Sequence, residues 1–132
     1  MIESLTIAAS GLRAQSVRVA TSASNLANLN TIGPIAEEGG SPSRVFVPQE
    51  TVFEATDNGG VRAQVIDRPD SVGQAFIPDS IFANADGLVA VPEVSLAEEV
   101  INLKIAEIAY RANASVIRTS IDLQQEALDT LA

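Results

Sequence analysis

Asn84, Asp86 and Glu93 come nearest, of all the residues in this chain, to a metal-binding set. Asn84-Ala85-Asp86-Gly87 resembles part of a calcium loop, and with Gly87 as the turn glycine Glu93 falls where the closing bidentate carboxylate belongs. The same alignment puts Phe82 at the first ligand position, crowds the later ones with Ala90 and Pro92, and is flanked by strand-like runs rather than helices. A plain β-turn is the expected outcome, and no metal is assigned. Asp67, Asp70, Asp79 and Asp86 make no better cluster, because nothing fixes their mutual geometry; acidic loops in solvent are expected. Ser10-Gly11 lies within a helical pattern and not at a strand-to-helix turn, so it is no nucleophile elbow.

The chain has no His and no Cys. That removes the imidazole base, the thiolate nucleophile and the usual zinc ligands. An enzyme would be left with carboxylates, Lys104, Tyr110 or a borrowed cofactor, so no catalytic or cofactor-binding residue is assigned and no enzymatic role is expected. Hydrophobic residues make up 46% of the chain but aromatics only 4%, which suits helix-on-helix packing better than an aromatic-walled pocket for a small-molecule substrate. The net charge is −9: residues 1–33 carry +1, residues 34–94 carry −7 and residues 95–132 carry −3. Without a basic track, nucleic-acid binding is not expected. No apolar run approaches the ~20 residues of a membrane span, so no membrane insertion is expected. The start, Met1-Ile2-Glu3, lacks a basic region, and Ser10, Gly11 and Arg13 interrupt any apolar core, so it does not read as a cleavable signal.

A length of 132 residues allows one domain, and three stretches differ in character. Residues 1–33 read as a helix with a heptad: Leu5, Leu12, Val19 and Leu26 recur every seven residues, alternating with Ile2, Ala9, Ser16, Ala23 and Asn30. Gly11 weakens this helix, which needs a partner for stability, and Gly33-Pro34 ends it. Asn25, Asn28 and Asn30 are dense for a helix. They read either as capping near its end or as interhelical hydrogen bonds that fix register, and the sequence leaves both open. Residues 34–94 hold all six Pro and six of the eight Gly. There a loop at Glu37–Ser43, short runs at Val45–Val47, Val52-Phe53, Val61–Ile66 and Leu88–Val91, and a turn at Asn58-Gly59-Gly60 predict a small β-rich insert that leans on the helices or on a neighbour. Residues 95–132 open on a capping box, Ser95-Leu96-Ala97-Glu98, and continue as a helix to about Leu131. Its seam is Leu96, Val100, Leu103, Tyr110, Ala114, Ile117, Ile121, Leu128 and Leu131, interrupted by Glu107 and Gln124, with a second stripe at Ile101, Ile105 and Ile108. Two stripes allow two partners, the N-terminal helix and a different subunit, where the alternative is that both enclose one intramolecular core. The expected fold is mostly α with a small β-rich insert, its N- and C-terminal helices paired antiparallel as a coiled coil.

Ala9-Ser10-Gly11-Leu12, Gln15 and Asn25-Leu26-Ala27-Asn28-Leu29-Asn30-Thr31 with Gly33 resemble the N-terminal motif of the flagellar rod and hook proteins. Asp86-Gly87-Leu88-Val89 through Pro92-Glu93-Val94, then Glu98-Glu99-Val100-Ile101-Asn102-Leu103 and Ala109-Tyr110-Arg111-Ala112-Asn113, resemble the FlgC-type proximal-rod subunits within that superfamily. Leu88 stands where those subunits usually have Tyr, and Pro34 stands where an aromatic usually follows Gly33. The resemblance implies a structural subunit of the proximal rod of the bacterial flagellar basal body. It also implies export through the flagellar type III apparatus without a cleaved signal and a place in the periplasmic rod. The implied partners are copies of the chain, other rod subunits, and membrane-ring and export-gate components at the rod base. The expected assembly interface is Leu5, Leu12, Val19, Leu26, Asn28, Val100, Leu103, Tyr110, Ile117, Ile121 and Leu128. Another rod subunit of the superfamily, or a soluble coiled-coil adaptor binding an unrelated helix, are the alternatives.

Overall fold

The structure, a computed structural model, describes residues 2–36 and 44–131. The expected Glu37–Ser43 loop lies outside them, as do Met1, Ala132 and the side chains of the seam positions Ile2 and Leu131. Two long helices flank two hairpins. Helix α1 spans Ile2–Ala27, strands β1 and β2 span Gln49–Ala55 and Val61–Asp67, strands β3 and β4 span Val72–Phe76 and Leu88–Pro92, and helix α2 spans Leu96–Leu131.

Helix α2 starts, and helix α1 ends, on local chemistry. Ser95 caps α2 by accepting the Glu98 N–H at 3.3 Å, the expected half of a capping box. At the end of α1, Asn28 Nδ2 donates to the Ser24 carbonyl (2.9 Å) and Thr31 Oγ1 to the Asn28 carbonyl (2.8 Å), each adding a second hydrogen bond to a carbonyl that already accepts a backbone N–H. Gly33 then bridges Ala90 through two backbone hydrogen bonds. A Cβ on Gly33 would meet the Val45 backbone nitrogen at 2.9 Å, so only glycine lets these segments meet.

The β1–β2 hairpin pairs Gln49 with Asp67 through to Ala55 with Val61, closing around Asn58-Gly59-Gly60 as the turn signal predicts. It lies along α1, fixed by a ladder of side chains. Asn25, Thr21 and Arg18, at helical spacing, meet the alternate strand residues Gln49, Thr51 and Phe53. Asn25 bonds both backbone groups of Gln49 (2.8 and 2.9 Å), Thr51 Oγ1 donates to Thr21 Oγ1 (2.9 Å), and the Arg18 guanidinium lies 4.5 Å from the Phe53 ring centroid. Near the other end, Ser10 Oγ accepts the Val61 N–H at 3.0 Å.

The second hairpin, β3–β4, pairs Val72 with Pro92 through to Phe76 with Leu88. Strand β3 is absent from the sequence expectations because Gly73 and Gln74 dilute its apolar pattern. Conversely, Val45–Val47 is not a strand. It bends at Val45 and runs without ladder pairing into Pro48, which has no N–H to give to a ladder. Asn84–Gly87 forms the expected turn: Gly87 N–H reaches the Asn84 carbonyl, and Asn84 Oδ1 accepts the N–H groups of Asp86 and Leu88.

Helices α1 and α2 pair antiparallel, with Gly11 beside Asn113 at one end and Asn25 bonded to Glu99 at the other. The buried seam differs from the expected one. The residues closed between the helices include Ala8, Gly11, Ser22 and Asn25 of α1 and Glu99, Ala106 and Ser120 of α2, not the large aliphatic residues. On both helices the heptad is displaced by one residue: Leu12 and Leu26 give way to Gly11 and Asn25, and Val100 and Ile121 to Glu99 and Ser120. Small residues win these positions because they allow a closer helix approach. A Cβ on Gly11 would sit 2.7 Å from Asn113 Oδ1.

Candidate assembly interface

Advancing one residue from the seam turns both antiparallel helices towards the same side of the pair. The residues one place before the α1 seam, such as Ser10 and Thr21, meet the β1–β2 hairpin. Those one place after it therefore rim the opposite edge. On α1 these are Leu5, Leu12 and Leu26, which are half-buried, and Val19, which is exposed. On α2, Leu103 and Ile117 are half-buried, while Val100 (52%), Tyr110, Ile121 and Leu128 (67%) are exposed. Heptad spacing thus gathers the expected interface residues along one edge without enclosing them. Asn28 stands apart, half-buried and engaged in closing α1.

The second α2 stripe is barer still. Ile101, Ile105 and Ile108 are all exposed, and Val116 and Leu123 continue the row at helical spacing. Geometry explains why: α1 is packed by α2 on one side and by the hairpin on another, whereas α2 packs substantially on α1 alone. An apolar row of this length on a folded chain is a candidate contact surface. Beside it runs an ion-pair triad, with Glu107 accepting from Lys104 Nζ (2.8 Å) and Arg111 (2.7 Å). The Lys104 hydrogen bond and the nearby Arg111 and Lys104 charges hold the Glu107 carboxyl below its ordinary range.

The asparagines divide between the two readings that the sequence left open. Asn25 links the helices through Glu99 and Asn28 caps. The pairings Asn25–Glu99 and Gly11–Asn113 were not expected as pairs, although each joins the N-terminal motif to the C-terminal one. A polar or glycine residue at helical spacing within both heptads was the available signal.

The sequence profile of the flagella basal body rod protein family matches residues 5–34. The flagellar basal-body rod protein FlgC of Yersinia enterocolitica is 37% identical over 92% of this chain and 91% of its own length. FlgC of Salmonella typhimurium is 36% identical over 86% of this chain and 84% of its own. FlgC of Borreliella burgdorferi is 31% identical over 99% and 97%. This chain belongs to the FlgC family of flagellar basal-body rod proteins. It is a structural subunit of the flagellar basal-body rod. The profile match ends at the turn after α1, so it covers the helix that carries Gly11, Asn25 and the α1 side of the aliphatic edge. No helix among the described residues is long and apolar enough to cross a membrane.

Proposed function

We propose that this FlgC-family chain builds the proximal rod through its two terminal helices, with the aliphatic edge and the outer α2 stripe as its contacts to neighbouring subunits. One observation carries this reading. The helix pair closes on small and polar residues and leaves Val19, Val100, Tyr110, Ile121 and Leu128 bare. Burying a large aliphatic side chain contributes about 1.5–3 kcal/mol, so the chain reserves most of its apolar contribution for assembly. In the rod the helices of residues 1–33 and 95–132 pack as coiled coils with copies of the chain and other rod subunits, residues 34–94 face outward, and membrane-ring and export-gate components are met at the rod base. The chain reaches its periplasmic position by export without a cleaved signal and completes its folding there.

Leu128→Asp tests the interface. Leu128 is exposed in the single chain, so the variant folds normally, yet its basal bodies should lack rod beyond this subunit and the cells should not swim. Normal rods and motility would show that the aliphatic edge is not an assembly contact. Recovery of the wild-type chain from purified basal bodies separates rod assembly from a soluble adaptor role.

A further inference from the structure

The β3–β4 hairpin stands apart from the helix pair, joined to the segment after α1 by the Gly33–Ala90 bridge, while the Glu93 N–H donated to the Ser71 carbonyl extends its own ladder by one rung. Its tip holds the most exposed large hydrophobic residues among the described residues of the insert: Ile81 in the connection is 91% exposed and Phe76 at the end of β3 70%, with Ile77 and Phe82 beside them. These side chains are held outward by ordered turns. The Ser80 N–H reaches the Ile77 carbonyl and the Ala83 N–H the Ser80 carbonyl, both at 3.1 Å, before the Asn84 turn closes the segment. Exposed Asp79 and Asp86 rim the patch, and no Lys or Arg occurs between Arg68 and Lys104. A groove of about 560 Å³ between Ile35 and Phe82 adds room for an incoming aliphatic side chain.

The outer face of α2 has the complementary design. Ile101, Ile105 and Ile108 form its apolar row, and Lys104, Arg111 and Arg118, seven residues apart, run along one edge of that row. With Glu107 as the one acid among them, residues 100–121 are a net basic stretch in a chain of net charge −9. In one chain the two surfaces remain bare, so they are not each other's intramolecular cover.

We infer that the acidic-rimmed tip of β3–β4 docks on the basic-rimmed outer face of α2 in a second copy of this chain. Ile81 and Phe76 pack against Ile105 and Ile108, and Asp79 and Asp86 face Lys104 and Arg111. Apolar centres make the contact and opposite rims set its register. Tip and helix face are different surfaces, so the contact is heterologous. Repeated from copy to copy it closes into a ring or propagates as a helix, as a tubular assembly requires. This inference rests on the rod-subunit reading.

The chain has no cysteine of its own, so site-directed crosslinking reads the contact directly. Basal bodies are purified from cells carrying Ile81→Cys with Ile105→Cys and treated with a short bis-maleimide. A covalent dimer of the chain is expected, and also when the two single variants are co-expressed, but not with either alone. Basal bodies that contain the chain but give no dimer, or that join Ile81→Cys only to a different rod protein, would overturn the inference while leaving the rod reading intact. Absence of the chain from basal bodies would overturn both. As a second measure, Asp79→Lys with Asp86→Lys should abolish swarming, and Lys104→Glu with Arg111→Glu in the same chain should restore it. Failure to restore swarming would count against the paired rims.

Discussion

Asn25 and Glu99, 74 residues apart, meet in the buried seam: Asn25 Nδ2 donates a 2.6 Å hydrogen bond to Glu99 Oε1. The same carboxamide holds both backbone groups of Gln49, so one side chain joins α1, α2 and the start of β1. Asn25→Ala strands the Gln49 groups and the carboxylate and should cost about 1–3 kcal/mol. Asn25→Asp sets a second carboxylate against Glu99 and should cost more, about 3–5 kcal/mol. Adding Glu99→Gln to Asn25→Asp supplies a donor again and should recover much of that loss. Urea unfolding of the four proteins checks this; an equal cost with and without Glu99→Gln would show that the pair is not coupled.

At Gly11 the Asn113 side chain of α2 occupies the space that a Cβ would need. An exposed helical Gly replaced by Ala gains about 1 kcal/mol, but here the added carbon lands on Asn113, whose Nδ2 is tied to the Ala109 carbonyl. Gly11→Val should destabilise the chain by about 1–3 kcal/mol through overpacking, and by less in an Asn113→Ala background. Thermal melts of the two backgrounds give the comparison, and equal losses would place the contact elsewhere.

Leu12 and Leu26 are half-buried in the single chain, flanking the seam. Their truncation to Ala should cost less than the ~2–5 kcal/mol of a fully enclosed leucine in monomer unfolding, yet should weaken rod assembly strongly. Leu26→Asp should leave the chain exportable but not assembled. Motility assays beside monomer stability measurements separate the two effects, and wild-type swimming of the Leu26→Asp strain would remove this edge from the interface.

Glu107 has its carboxyl pulled down by the Lys104 hydrogen bond and by Arg111. A depressed folded-state pKa contributes stability that is present above the unfolded pKa and is lost as pH falls through the folded one. The group lies at the surface, in reach of solvent, so the effect on unfolding should be small and screened by salt. An NMR titration should place Glu107 below an ordinary glutamate. Lys104→Gln should move it up. No movement would mean that the triad does not persist in solution.

Composition and heptads made the fold class legible, because terminal helices of this length impose seven-residue spacing over many turns. The same spacing concealed the intramolecular register. Large residues at 5, 12, 19 and 26 mark a seam by hydrophobicity, but backbone proximity is set by the small residues beside them, Ala8, Gly11 and Ala106, which carry a weak pattern. Asn25 was visible as one asparagine among three, and its partner, Glu99, reads as an exposed acid of the first turn until α1 is laid against it. Strand β3 was lost to Gly73 and Gln74, and Phe76 and Ile81 could not be told from core residues without their surroundings.

The same asymmetry of packing decides how the isolated chain should come apart. The sequence alone suggests an N-terminal helix that needs a partner and an insert that leans on the helices or on a neighbour. In the structure α1 is held from two sides, by α2 and by the hairpin ladder of Asn25, Thr21, Arg18 and Ser10, whereas α2 relies on α1 and a seam of small and polar residues. Helix α2 is also longer, 36 residues against 26, so with Gly11 opposite Asn113 its last two turns extend past the start of α1. Few buried contacts and exposed backbone mark the low-stability end of a fold, so α2 should open first and from its C-terminus. Limited trypsin treatment of the monomer should cut at Arg118 and Arg111 well before Arg13 and Arg18, and hydrogen exchange should be fastest beyond Ser120 and slowest across α1 and β1–β2. Assembly into the rod should slow exchange in α2 more than in α1, because its bare faces are then covered. Equal protection of both helices in the monomer would mean that the small-residue seam is a self-sufficient core and that α2 does not depend on neighbouring subunits for its stability.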